Sequence, residues 1–165
     1  MLSEPTFENR AAQGYAYITF TVRMTQMKKP ADEGFPELFG WLADNGITPT
    51  GAPFFNYRRI DMANTLEVEA GVPVDRTAEG TDRVRFGQLP TGRYLTATHT
   101  GPYGGLYKAT GKLIGWASER GLKWDVSEQA DGDHFACRLE IYETDPRQEP
   151  DSSKWITRLV FKLAE

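Results

Sequence analysis

The 165-residue chain carries 19 Lys plus Arg against 23 Asp plus Glu, a formal net charge of −4, with 39% hydrophobic and 12% aromatic residues. That length and composition suit one globular domain, residues 1–165, large enough to bury a sizeable core. With no basic cluster beyond Lys28-Lys29 and Arg58-Arg59, the charge excludes the electrostatic footprint of direct nucleic-acid binding.

Chain order begins with Met1-Leu-Ser-Glu-Pro-Thr6, which has no basic or apolar targeting region, and no later stretch is long enough for a bilayer. The expected location is therefore cytoplasmic, with no membrane partner. Tyr15 to Arg23 is rich in β-branched and aromatic residues and predicts a strand. Phe35, Leu38-Phe39 and Leu42 keep helical spacing, and Gly46 follows as the residue that takes left-handed backbone cheaply. Two more strands are predicted at about 53–60 and 64–70. Gly71 to Leu89 reads as a connection: a polar loop at 75–80, then a short edge strand near 84–90. Arg93 to His99 predicts another strand. The turn His99 to Gly105 lacks the spacing of a phosphate-binding loop and reads as a structural strand-to-helix turn. Leu106, Ala109, Leu113 and Trp116-Ala117 mark a second amphipathic helix, closed by Gly121. Strands at about 134–143 and 155–163 complete the chain, joined by a Pro- and Asp-rich loop over 144–154.

An internal repeat underlies this order. Leu38 to Ile47 reappears as Leu113 to Leu122 at a constant offset of 75 residues (38 to 113), with Leu, Gly, Trp and Gly in common. The order β-α-β-β thus occurs twice. It predicts an α+β fold of two pseudo-symmetric repeats, about 15–74 and 90–163, with antiparallel sheets and a central ligand groove between the copies. Gly40 and Gly115 interrupt both helices, at about 1 kcal/mol each relative to alanine. Their recurrence predicts a shared packing reason, such as a helix lying close against a sheet. Leu66-Glu67-Val68 resembles Leu139-Glu140-Ile141, but strand order pairs Phe54-Phe-Asn-Tyr57 with Leu139-Glu-Ile-Tyr142. Glu140 then has no acidic twin.

Cys137 is the only cysteine, so neither an internal disulfide nor a thiolate metal cluster is available, and His99 and His134 stand in no metal-ligand spacing. No metal and no cofactor are expected. No G-x-S-x-G elbow occurs, so catalysis would have to use carboxylates, tyrosines or bound water. Alternation along 135–142 places Phe135, Cys137, Leu139 and Ile141 on one face and Arg138, Glu140 and Tyr142 on the other. That second face either meets water or lines the groove, where a desolvated glutamate beside aromatic rings would attract cations or do acid–base work. Tyr57 and Tyr142 hold matched positions on the two hairpins. Trp41 and Trp116 belong to the apolar helix faces, whereas Trp155 either borders a site or covers a core edge.

Leu89-Pro-Thr-Gly-Arg-Tyr94, followed by His99-Thr-Gly-Pro-Tyr103, resembles the start of the second repeat in GyrI-like small-molecule-binding domains. Leu139 to Pro146, Trp155-Ile-Thr-Arg-Leu159 and Leu66 to Val74 are similar to that family too, so the likeness runs from about Tyr15 to Leu163. The family includes effector-binding domains of multidrug-responsive transcription activators, a DNA gyrase inhibitor and stand-alone proteins. The resemblance implies a groove in which Glu140 meets a small aromatic or cationic molecule, with Tyr57, Tyr103 and Tyr142 around it and Trp155 stacked on the ligand. It implies a stand-alone protein that senses or sequesters such a compound. Two alternatives follow from the same family: a hydrolase of cyclopropanoid electrophiles in which Glu140 activates water, and a protein-binding inhibitor of a topoisomerase. With 14 residues before Tyr15, no helix-turn-helix is expected. Arg158 stands where many members carry an acidic residue, which implies a pocket less purely cation-seeking.

Overall fold

The computed structural model describes every residue, 1–165. Ten strands and two helices follow one another as β1 (Thr6–Arg10), β2 (Gln13–Val22), α1 (Phe35–Asp44), β3 (Phe54–Ile60), β4 (Leu66–Pro73), β5 (Arg85–Leu89), β6 (Gly92–Thr100), α2 (Leu106–Glu119), β7 (Val126–Gln129), β8 (Gly132–Phe135), β9 (Arg138–Tyr142) and β10 (Ile156–Lys162). All pairings are antiparallel, and the strands form one curled sheet in which eight run in the order β1-β6-β10-β9-β3-β4-β2-β5, while β8 pairs with β3 and β7 with β8. Where the sequence leads one to expect separate sheets, β3 and β9 pair at the centre through Phe54–Ile141, Phe55–Glu140 and Asn56–Leu139 and make the sheet continuous.

Alternation sorts the side chains onto two faces. Ala16, Ile18, Phe20 and Val22 of β2 and Leu66, Val68, Ala70 and Val72 of β4 pack under Leu38 and Leu42 of α1. Leu95, Ala97, Leu159 and Phe161 pack under Leu106, Leu113 and Ala117 of α2. Tyr15, Phe54, Tyr94, Leu139, Ile141 and Val160 fill the inside of the curl on the opposite face. The helices therefore cover the two ends of one face, leaving the central strands open between them.

Both helices stop by the same device. Gly46 and Gly121 each have φ +67. The amide of Ile47 donates to the carbonyl of Leu42 and that of Gly46 to Ala43; Leu122 donates likewise to Ala117 and Gly121 to Ser118. These are Schellman closures, and the left-handed residue inside them favours glycine. The mid-helix glycines do not serve as expected. A Cβ at Gly40 or Gly115 would meet nothing within 4 Å, and both face outward. The close helix–sheet approach is at Gly34 instead, where a Cβ would lie 2.7 Å from Phe20 Cε1 and 2.9 Å from Ala70 Cβ. Gly34 ends a single π-helical turn, Pro30–Gly34, that leads into α1.

Two segments depart from the predicted elements. Residues 6–10 form β1, which pairs with β6. The strand expected over 134–143 is broken at Ala136-Cys137: its first part belongs to a β7–β8 hairpin, and only 138–142 joins the sheet beside β10. Pairing with β3 lapses there, between Arg59–His134 and Asn56–Leu139, and buried Asn56 fills the gap, its Oδ1 accepting from the Arg138 amide at 3.1 Å. The break also shifts the face of Phe135, which lies with Arg138, Glu140 and Tyr142 rather than with Cys137. No helix is long and apolar enough to cross a membrane.

Candidate functional site

The open centre of the helix-bearing face is a groove of about 1610 Å³. Its floor is β3 and β9, which contribute Phe55 and Tyr57, and Arg138, Glu140 and Tyr142. Phe35 and Phe39 of α1 form one wall; Leu106, Tyr107, Gly111 and Ile114 of α2 form the other. Five of the eight exposed large hydrophobic side chains stand on its lip: Met24, Met62, Tyr103, Tyr107 and Ile114. An apolar patch gathered around one concavity, rather than scattered over the surface, marks a binding site. A second hollow beside His99 and Lys108 holds only about 170 Å³, too small for an organic ligand.

Glu140 is 9% exposed and sits on the floor. The Tyr57 hydroxyl donates to its Oε1 at 3.2 Å, and the Tyr142 hydroxyl donates to the same oxygen. Both tyrosines spend their protons on Oε1, and no protein group bonds Oε2. Burial raises the Glu140 pKa, while the two phenols and Arg138 oppose that rise by favouring the ionised form. The phenols are in turn held well above their ordinary value by burial and by Glu140. Their rings are locked by Phe55, which meets Tyr142 edge-on at 5.4 Å and Tyr57 at 6.3 Å, and which stacks on Phe35 at 5.3 Å. Hence one buried carboxylate is presented with fixed geometry at the bottom of an aromatic trough.

Tyr57, Tyr103, Glu140 and Tyr142 all line the groove. Trp155 does not. It lies behind Tyr103, ring centroids 4.8 Å apart, and its indole N–H donates to the Glu149 carbonyl at 2.8 Å. The residue immediately precedes β10 at the edge of the helix-bearing face, so it props Tyr103, which meets Tyr142 edge-on at 5.5 Å. Arg158 is also outside the groove: alternation along β10 turns it to the opposite face, where it pairs with Glu8 at 3.1 Å. The implied weakening of the pocket's preference for cations therefore has no structural basis at that residue.

Two features escaped the sequence reading. The first is Glu69, only 4% exposed, on the far face of the sheet, accepting from Tyr15 at 2.6 Å and from Asn56 at 3.1 Å. The alternation of β4 marks Glu69 as outward-facing, and only the curl of the sheet buries that face. The second is the contribution of the stretch before α1, where Met24, Met27 and Ala31 close one end of the groove. No three His, Cys, Asp or Glu side chains converge as metal ligands.

The model of the GyrI-like small molecule binding domain matches residues 3–164. The chain belongs to that family. Among solved structures, the GyrI-like domain is similar to the EcmrR C-terminal domain, with TM-score 0.77 and 18% identity over 98% of both chains. It spans 57% of the longer EcmrR chain in a DNA complex. A hydrolase from Listeria innocua matches with TM-score 0.62 and 14% identity, covering 98% of this chain and 92% of that one. SAV2435, solved bound to tetraphenylphosphonium, matches with TM-score 0.61 and 10% identity, covering 98% and 94%. These likenesses establish the fold. No curated protein matches the chain.

Proposed function

We propose that this GyrI-like domain senses or sequesters a small aromatic organic compound held in the central groove, with Glu140 as its polar anchor. The observation that carries this reading is the free Oε2 of a buried carboxylate at the floor of a mainly apolar groove. A cation or N–H donor placed there would gain a charge-assisted contact in low dielectric, and Tyr103 and Tyr107 would add aromatic contact area. Trp155 acts through Tyr103 rather than on the ligand. The two wings of the sheet, β6-β10-β9 and β3-β4-β2, run in mirrored order about β9 and β3, which supports a duplicated β-α-β-β unit as the origin of the groove. Calorimetric titration with tetraphenylphosphonium, an aromatic cation, tests the reading. Wild type should bind and Glu140→Gln should weaken binding by about tenfold; equal affinity in both would remove Glu140 from the site.

A second reading is supported by the same carboxylate. With Oε1 tied to two phenols, Oε2 is placed to take a proton from water attacking an electrophilic carbon, and a raised pKa makes it a stronger base. A cyclopropane-bearing electrophile turned over by wild type, and bound without turnover by Glu140→Gln, would favour hydrolysis over sequestration. Binding without turnover in both proteins would leave sequestration alone.

A further inference from the structure

Two residues before Glu140 on the same strand face, Arg138 projects into the groove. Its guanidinium lies over the Phe135 ring at 4.9 Å and the Phe161 ring at 4.8 Å, an aromatic clamp that fixes its plane. Its Nε is buried with no hydrogen-bond partner. Glu140 and Asp133 are near enough for their charge to act on it, but neither comes within ion-pair distance, and Oε1 of Glu140 is committed to its tyrosines. A guanidinium has five donors and no acceptor, and one left without a carboxylate in a partly desolvated place is costly. The other groove-lining arginine, Arg147, is already matched by Asp145 at 2.9 Å. Arg138 is thus the groove's clamped arginine whose donors no protein group takes.

We propose that Arg138 is an oxyanion subsite, so that the groove takes an aromatic molecule bearing a carboxylate, sulfonate or phosphate group. The clamp holds the two Nη groups, which unlike Nε are not buried, in one plane, which suits two-point recognition of an oxyanion and lowers the ordering cost of binding. Along a strand the Arg138 and Glu140 positions are about 7 Å apart. One ligand could therefore set its acid on the arginine and an N–H donor on the carboxylate while its rings lie against Phe55 and the walls. This specificity rests on the groove being the binding site, as proposed above.

The test uses one hydrophobe with and without the acid: 8-anilinonaphthalene-1-sulfonate against its uncharged parent, N-phenyl-1-naphthylamine, titrated by fluorescence on the intact protein. Wild type should bind the sulfonate about tenfold tighter or more. Arg138→Gln should abolish that preference while still binding the uncharged dye, and Arg138→Lys should restore part of it. Should the glutamine variant fail to fold, competition on wild type decides: benzenesulfonate should displace the sulfonate dye, and toluene at equal concentration should not. Equal affinity of the two dyes for wild type, or an unchanged preference in Arg138→Gln, overturns the oxyanion subsite and leaves the groove reading standing. Failure of both dyes and of tetraphenylphosphonium to bind wild type overturns the groove reading itself.

Discussion

Gly111 gives a way to separate stability from binding in a single substitution. It lies within α2 on the groove wall, and a Cβ there would meet nothing within 4 Å. Gly115, one turn on, is equally open but lies outside the groove. Replacing glycine in a helix interior by tryptophan gains about 0.5 kcal/mol of helix propensity, and by alanine about 1 kcal/mol. For a chain of this size 1 kcal/mol moves Tm by roughly 2–4 °C. Gly115→Ala should therefore raise Tm by about 2–4 °C and leave ligand affinity unchanged. Gly111→Trp should raise Tm by about 1–2 °C, or at least not lower it, while an indole fills part of the groove. If that ring denies the ligand about 100 Å² of apolar wall, the loss is about 2.5 kcal/mol, close to two decades in Kd. Differential scanning calorimetry and dye titration on the same samples read both quantities. A fall in Tm for Gly111→Trp would show that the space is not open. Unchanged affinity would show that ligands bind elsewhere.

Gly34→Ala should do the reverse of Gly115→Ala: its Cβ enters the space of Phe20 and Ala70, and overpacking costs about 1–3 kcal/mol, read as a lower midpoint in urea. Stability should also depend on pH through Glu140. Its folded pKa is raised, so the unfolded chain ionises first as pH climbs past the ordinary 4.5; stability falls from there until pH passes the raised value, then levels. Glu140→Gln should flatten part of that fall in denaturation curves collected across pH, with Glu69, raised by the same cause, supplying the remainder; an unaltered profile would mean that Glu140 is not desolvated. Burial pushes the Cys137 thiol up to about 11, so a disulfide reagent at neutral pH should modify it only at the rate of unfolding, and fast modification of the native protein would contradict its burial.

Much of this architecture is visible in one-dimensional pattern because it rests on local physics. The Gly46 and Gly121 closures follow from backbone sterics, and β2, β4, β6 and β10 announce themselves by alternation and β-branched residues. The convergence of Tyr57 and Tyr142 on Glu140 follows from strand order and side-chain parity. What the pattern hides is non-local. The β7–β8 hairpin and the break at Ala136-Cys137 arise because β3 changes partners along its length, which moves Phe135 across the sheet. Glu69 looks solvent-facing in β4, and only the curl of the sheet buries it. Their places in a motif assign Arg158 and Trp155 to the site, yet parity turns the first away and Tyr103 screens the second. Strand parity makes Arg138 a same-face neighbour of Glu140, but its lack of a partner is a three-dimensional fact.

The central claim, a ligand groove between the helices, has a built-in reporter. The chain has four methionines, and three of them, Met24, Met27 and Met62, line the groove, while Met1 lies beside the small hollow at His99. Methyl spectra of protein labelled with 13C-methyl methionine give one resonance for each. Titration with 8-anilinonaphthalene-1-sulfonate should shift Met24, Met27 and Met62 saturably with a common Kd, leave Met1 in place, and lose the effect in Gly111→Trp. Shifts confined to Met1, or groove resonances that stay fixed while the dye fluoresces, would contradict the account.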